Sequence, residues 1–183
     1  TGEARVFVSE EAAIKAIKQG QIQKGDIMVI IGGGQSGTGM EETYQLTSAL
    51  KHISWGKTVS LITDARFSGV STGACLGHVA PEALAGGPIG KLRTGDVIEI
   101  VVDRLSLKGS VNFIGSAQAR LTPEEGATVL AERELHPDLK PHDYLPDDTR
   151  LWATLQAVSG GTWKGCIYDT YKIIEVINAG KKA

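Results

Sequence analysis

Ile27-Met28-Val29-Ile30-Ile31-Gly32-Gly33-Gly34-Gln35-Ser36-Gly37 joins five consecutive apolar residues to a glycine-dense loop. A continuous apolar run of this length reads as a strand buried on both faces, the strand type of α/β proteins. The loop after it then lies at a strand's carboxyl end, where such proteins place their ligands. Lys24-Gly25-Asp26 supplies the turn into the strand. Upstream, Ser9 is an N-cap before Glu10-Glu11 and an apolar stripe at Ala13, Ile14 and Ile17, so a helix is expected that ends near Gly20. Downstream, a helix is expected from Glu41 to Leu50, and then a second buried strand from Thr58 to Thr63. That strand opens into the loop Asp64-Ala65-Arg66-Phe67-Ser68-Gly69.

Farther along, Pro81 to Gly90 is marked by proline and glycine. Val97 to Val102 alternates apolar residues and, with Leu105 and Leu107 after a short break, reads as a β-rich segment or hairpin. Thr122-Pro123-Glu124-Glu125 is a capping box with proline at the first helical position, opening a helix through about Glu132. Pro137, Pro141 and Pro146 mark a loop. Asp147 or Asp148 is expected to cap a helix that Gly160-Gly161 stops, and a last helix is expected from about Asp169 to Asn178. No linker or charge run divides the chain, so residues 1–183 read as one α/β domain whose portion from 120 onward is a helical extension.

The 183 residues are 42% apolar and 22% charged, ordinary globular values that exclude a disordered or fibrous chain. Nineteen basic residues against twenty-one acidic ones leave no cationic excess to draw nucleic acid or an anionic membrane. No apolar run approaches a membrane span. Two cysteines, Cys75 and Cys166, exclude a disulfide framework and cannot alone supply three or four thiolate ligands; a reducing, cytoplasmic setting is the default. The chain opens Thr1-Gly2-Glu3-Ala4, with neither an initiator methionine nor a signal-peptide pattern, and reads as a piece of something longer.

Four loops could carry chemistry. Gly32 to Gly37 satisfies G-x-G-x-x-G after a strand, which would let backbone amides cradle a pyrophosphate. The acidic residue such a site wants lies far on, at Asp64, and the third glycine falls before the expected helix; a plain glycine turn or a substrate-facing loop stays open. Glu41 and Glu42 could complement a helix dipole or offer oxygen to a hard cation such as Mg²⁺. In the third loop Ser68, beside Gly69, can present its hydroxyl, but no Gly-x-Ser-x-Gly elbow makes it a hydrolase nucleophile. Arg66 could clamp a carboxylate, or form a turn network with Asp64. The fourth loop, Gly77-His78-Val79-Ala80-Pro81-Glu82-Ala83, carries a histidine that is either structural or ligand-orienting. His52, His136 and His142 sit in polar or proline-rich surroundings and are expected to be exposed.

In order, Gly37-Thr38-Gly39-Met40-Glu41-Glu42, Thr63 to Gly69, Gly77 to Ala83, Gly86-Gly87-Pro88-Ile89 and Thr94 to Ile98 resemble the carboxy-terminal domain of the dihydroxy-acid dehydratase / phosphogluconate dehydratase family. The likeness covers about residues 3–115, and the stretch from Leu151-Trp152 to Asp169 is similar to the sugar-acid, xylonate-type branch. This resemblance implies a swivelling β/β/α domain, a barrel-like six-stranded mixed sheet with flanking helices. It implies a catalytic lid for an iron–sulfur and Mg²⁺-dependent hydro-lyase that converts a 2,3-dihydroxy (aldonic) acid to a 2-keto-3-deoxy acid. The cluster ligands and most metal ligands would lie in an amino-terminal domain, leaving this chain without cluster ligands and inactive alone. Glu42 matches the family's Mg²⁺-ligating glutamate and Ser68 the serine that takes the C2 proton. Arg66 and His78 match pocket residues, and Gly37, Thr38, Gly39 and Met40 would line the pocket with backbone amides. The implied partners are the cluster domain, a small sugar acid and a second copy of the protein, with no nucleic acid or membrane.

Ala65 stands where the family commonly has glycine, which a methyl tolerates only at negative φ. The loop Gln35-Ser36-Gly37-Thr38 also departs from the family's commoner proline-bearing form; both differences imply an altered substrate pocket. Cys75 and Cys166 match no cluster ligand and are expected to be packed thiols. Two other readings stand beside this one: a stand-alone nucleotide- or phosphate-binding module built on the loop 32–37, and a structural domain that only mediates dimer contacts.

Overall fold

The computed structural model describes residues 1–181. In chain order its elements are β1 (Gly2–Phe7), α1 (Glu10–Lys18), β2 (Ile27–Ile30), α2 (Gln35–Thr38), β3 (Glu42–Thr43), α3 (Gln45–Lys51) and β4 (Ser60–Thr63). They continue with β5 (Arg66–Phe67), β6 (Cys75–Leu76), β7 (Asp96–Asp103), β8 (Lys108–Ser116), α4 (Pro123–Glu132), α5 (Asp147–Val158) and α6 (Thr170–Gly180). Six strands form one mixed sheet in the order β6-β4-β2-β1-β7-β8, curled into a half-barrel with helices against it, as the resemblance implied. β6, β4, β2 and β1 run parallel, while the β7–β8 hairpin joins β1 antiparallel.

The apolar run at Ile27 explains the layering. Ile27, Val29 and Ile31 point into one core with Ile62, Ile89, Ile98, Phe113 and Leu130. Met28 and Ile30 point the other way, into a second core with Ala13, Ala16, Leu46, Leu50 and Leu61. Both faces of the central strand are dry, so the run can dispense with polar alternation. α1 and α3 cover the second face, and α4 closes the first through Leu130.

Several local expectations hold. Ser9 Oγ accepts the N–H of Ala12 at 3.1 Å and starts α1. Thr122 and Glu125 form the reciprocal capping box of α4. Asp169 caps α6. Others do not. β1 is a strand the sequence reading passed over. Residues 41–50 are not one helix: Glu42–Thr43 pair with Arg66–Phe67, and α3 starts only at Gln45. The reason is tertiary. Glu10 Oε1, at the start of α1, accepts the N–H groups of Tyr44 (2.9 Å) and Leu46 (2.7 Å) and so fixes where α3 begins. Glu41 and Glu42 therefore do not sit at a helix start and complement no dipole there. Pro146, not an aspartate, precedes α5, with Asp147 and Asp148 in its first turn. His52 is exposed, but His136 and His142 are half-buried, because the loop between α4 and α5 packs down with the His136 and His142 N–H groups donating to the Gly90 and Gly37 carbonyls.

Candidate functional site

Parallel pairing of β2 with β4 sets the loops at their carboxyl ends side by side. The short β3–β5 pair then zips these loops together, with Glu42 opposite Arg66 and Thr43 opposite Phe67. The Ser68 N–H donates to the Thr43 carbonyl at 3.3 Å. The Arg66 guanidinium forms an ion pair with Glu42 and donates through Nε to the Met40 carbonyl at 3.2 Å. The His78 N–H donates to the Ala65 carbonyl at 2.8 Å, which brings the fourth loop to the same place. Met40, Glu42, Arg66, Ser68 and His78 thus share one rim. The side chains of Glu42 and Arg66 are 36% and 46% exposed there.

Ser68 is half-buried, and its Oγ accepts a long 3.5 Å contact from the Val70 N–H. Among the described residues no base hydrogen-bonds to that hydroxyl. His78 is exposed and makes no side-chain hydrogen bond to Ser68, so it is not a satisfied core histidine. Among the described residues four non-glycine residues have positive φ, and two belong to this rim: Met40 at 65° and His78 at 53°. Such strain concentrates where surrounding structure must hold a group in place for function.

Two buried carboxylates hold the loops. Asp64 is fully buried and accepts the N–H groups of Gly32 (3.3 Å), Gly33 (2.9 Å) and Ala83 (2.9 Å). Glu82 accepts the Ser36 N–H at 3.2 Å and the Ser36 hydroxyl at 2.6 Å. Burial pushes the Asp64 carboxyl above its ordinary range against the pull of these backbone donors. Burial also raises Glu82, with the nearby Asp64 charge adding to it. Asp64 therefore does not meet Arg66, and the turn network between them is not formed. Sequence reasoning gave Glu82 no role, and only its place inside the quoted motif signalled one.

These carboxylates also decide the glycine loop. The amides of Gly32, Gly33 and Ser36 already face carboxylate oxygens, where a pyrophosphate would need them free. The N–H groups of Gly37, Thr38, Gly39 and Met40 all donate within the loop, to Gly34 or Gln35 carbonyls. These four amides are thus engaged within the loop itself. Close packing explains the glycines instead: a Cβ on Gly34 would lie 1.9 Å from Glu82 Oε2, and one on Gly37 would lie 1.9 Å from the Gly32 carbonyl oxygen. Ala65 is not among the positive-φ residues, as its methyl requires, and that methyl would lie 2.7 Å from a Cβ on Gly33.

Among the described residues no three His, Cys, Asp or Glu side chains gather to hold a metal ion. Glu42 is a hard oxygen donor, suited to contributing one ligand to Mg²⁺, but the chain does not complete such a site. Cys75 packs beside the second core, where burial raises its thiol; Cys166 is half-buried. Neither gathers with other ligands to receive a cluster. The loop before α5 also reaches the rim, which sequence reasoning missed. The His142 N–H donates to the Gly37 carbonyl, His142 Nδ1 lies 2.6 Å from the Tyr144 hydroxyl, and that hydroxyl donates to Glu41 at 3.1 Å.

The site is thus a set of linked loops at the carboxyl ends of parallel strands in a half-barrel. The chain belongs to the dihydroxy-acid/6-phosphogluconate dehydratase C-terminal family, whose model matches residues 1–137. It is 81% identical over its whole length to the D-xylonate dehydratase YagF of Escherichia coli K12, covering 28% of that protein. It is 67% identical over 94% of its length to the D-xylonate dehydratase YjhG of the same organism, covering 27% of it. A dihydroxy-acid dehydratase of Lachnospira eligens matches 68% of the chain at 48% identity, and 23% of that protein is covered. The chain therefore spans about a quarter of the length of these relatives.

Proposed function

We propose that this chain is the catalytic lid of an aldonic acid dehydratase, removing water across C2 and C3 of a 2,3-dihydroxy acid to give a 2-keto-3-deoxy acid. One observation carries the reading: β3 and β5 hold Glu42, Arg66 and Ser68 side by side on an exposed rim whose ligand set is incomplete. A rim of that kind is half an active site. The other half would be an amino-terminal domain that holds an iron–sulfur cluster and the remaining Mg²⁺ ligands. When bound, these groups supply Lewis acidity for departure of the C3 hydroxyl and for the negative charge that develops on the substrate. The D-xylonate dehydratases among its relatives support a five-carbon aldonate as substrate, and two cysteines that form no disulfide support a reducing, cytoplasmic setting.

The residues of this chain then have separate duties. Ser68 Oγ, acting as the alkoxide, takes the C2 proton; the C2–H electron pair forms the C2=C3 double bond as the C3 hydroxyl departs with its bonding pair, the proton passes from Ser68 to that leaving oxygen to give water and restore the alkoxide, and the enol tautomerises to the keto acid. A serine hydroxyl is a weak base, and nothing in this chain activates Ser68, so activation comes with closure. Arg66 orients Glu42 and ties it to the Met40 carbonyl, so that Glu42 can offer one oxygen to Mg²⁺. His78 stands at the rim as the alternative proton acceptor. The test is Ser68→Ala in the full-length, reconstituted protein, with keto acid formation from aldonates followed and cluster content checked. A loss of about 10²–10⁴ in turnover at unchanged cluster content is expected. Full turnover by the variant would move the base elsewhere, and absence of keto acid from any aldonate or 2,3-dihydroxyisovalerate with the unaltered protein would overturn the assignment.

A further inference from the structure

We propose that a cleft of about 200 Å³ between α2, Gly39–Met40 and α5 binds a short neutral polyol chain, namely the far hydroxyls of the acid whose 2,3-diol reacts at the rim. The proposal rests on the dehydratase reading for the identity of that acid. Gln35 and Met40 form one wall, and Thr149, Trp152 and Gln156 the other, with Cys166 at the edge. Gln35 is 4% exposed, and among the described residues its side-chain amide forms no hydrogen bond, while its polar atoms keep access to solvent at the cleft they line. Such an amide has two donors and an acceptor, and both kinds of group need a partner once a ligand displaces the water they meet. A ligand rich in hydroxyl groups answers both needs at once.

The opposite wall fits the same chemistry. Gln156 and Thr149 add donors and acceptors, and the half-exposed Trp152 offers an aromatic surface for C–H groups. No charged side chain lines the cleft, so it suits the neutral end of an aldonate and not its carboxylate. The volume suits a short polyol; clefts for drug-sized ligands run to about 300–1,000 Å³. Met40 joins cleft to rim, since it lines the one while its carbonyl accepts Arg66 Nε of the other. α5 closes on the loop directly: Thr149 Cγ2 would lie 2.5 Å from a Cβ on Gly39. This wall lies beyond residue 137, outside the segment that the family model matches, so it is a place where substrates can be told apart.

The test uses the full-length protein and xylitol, a five-carbon polyol that has no carboxylate and cannot react. Xylitol should bind by calorimetry and inhibit competitively against D-xylonate. Gln35→Met should raise KM for D-xylonate and weaken xylitol binding, each by about three- to tenfold, the worth of one neutral hydrogen bond, with kcat nearly unchanged. Trp152→Ala, on the exposed wall, should do the same without lowering the melting temperature. Unchanged KM and unchanged xylitol binding in both variants would overturn the proposal, as would a fall in kcat and melting temperature with no effect on xylitol. Xylitol binding lost in the variants but noncompetitive with substrate would reject the substrate source and make the cleft a site for a free polyol. If the unaltered protein dehydrates no aldonate, the dehydratase reading fails, and the calorimetric arm still decides whether the cleft takes a polyol.

Discussion

Asp64 meets three backbone N–H donors with two carboxylate oxygens, and no isostere reproduces that. Asparagine would turn an NH₂ group toward at least one of the amides of Gly32, Gly33 and Ala83. Asp64→Asn is therefore expected to cost about 1–3 kcal/mol of stability, read as a lower urea midpoint. Glu82 gives a pH signature. Its folded carboxyl is raised by burial and by Asp64, so the stability it contributes is present below the ordinary glutamate range, about pH 4.3, and is lost as pH rises through the folded value. Melting curves of the unaltered chain and Glu82→Gln should accordingly shift in the variant's favour between pH 4 and pH 7. A shift the other way would mean that the Ser36 hydrogen bonds outweigh desolvation. At the rim, Arg66→Met removes the partner of Glu42 and the tie to Met40 while the β3–β5 backbone pairing stays. A loss of turnover of at least tenfold in the full-length protein, with the melting temperature of the domain nearly unchanged, is expected.

The glycine loop behaves as an element and not as a set of flexible residues. Gly37→Ala sets a methyl against the Gly32 carbonyl, which is backbone and cannot swing away, so a loss of about 1–3 kcal/mol or more is expected in a thermal or denaturant melt. Gly69→Ala is the contrast: its Cβ meets open space and its φ is not positive, so stability should stay within about 0.5 kcal/mol. The comparison separates glycine needed for close approach from glycine needed for nothing structural. The motif G-x-G-x-x-G in the sequence could not make that distinction. Whether its amides face a phosphate or an internal carboxylate depends on Asp64 and Glu82, which lie 31 and 46 residues from the amides they engage. The same holds for α3, whose start is set by Glu10 from another helix and not by Glu41-Glu42 beside it.

At the scale of the molecule, one carboxylate ligand and no gathered cysteines give a chain that cannot assemble either proposed cofactor site, so the isolated 183-residue chain should form no keto acid in an anaerobic assay with iron, sulfide and Mg²⁺. Turnover by the isolated chain would defeat the division into two halves. α6 and the segment before it leave Trp163, Ile167, Tyr171, Ile174 and Ile177 exposed, so the isolated chain presents an apolar face as well. No helix among the described residues is long and apolar enough to cross a membrane. The sequence alone determined the α/β class, because Ile27–Ile31 has no polar face to show to water. It also determined the helix caps at Ser9 and Thr122, which depend on neighbours within three residues, and it singled out Glu42, Arg66 and Ser68 as candidates near the ends of readable strands. Only the tertiary structure decided which residues those loops meet. Pairing of Glu42 with Arg66, burial of Asp64 and Glu82 against the glycine loop, and the cleft that α5 closes over Gln35 all join residues 24 to 121 positions apart. Periodicity and capping are local signals, and the free energy of those contacts exists only once the distant segments are packed together.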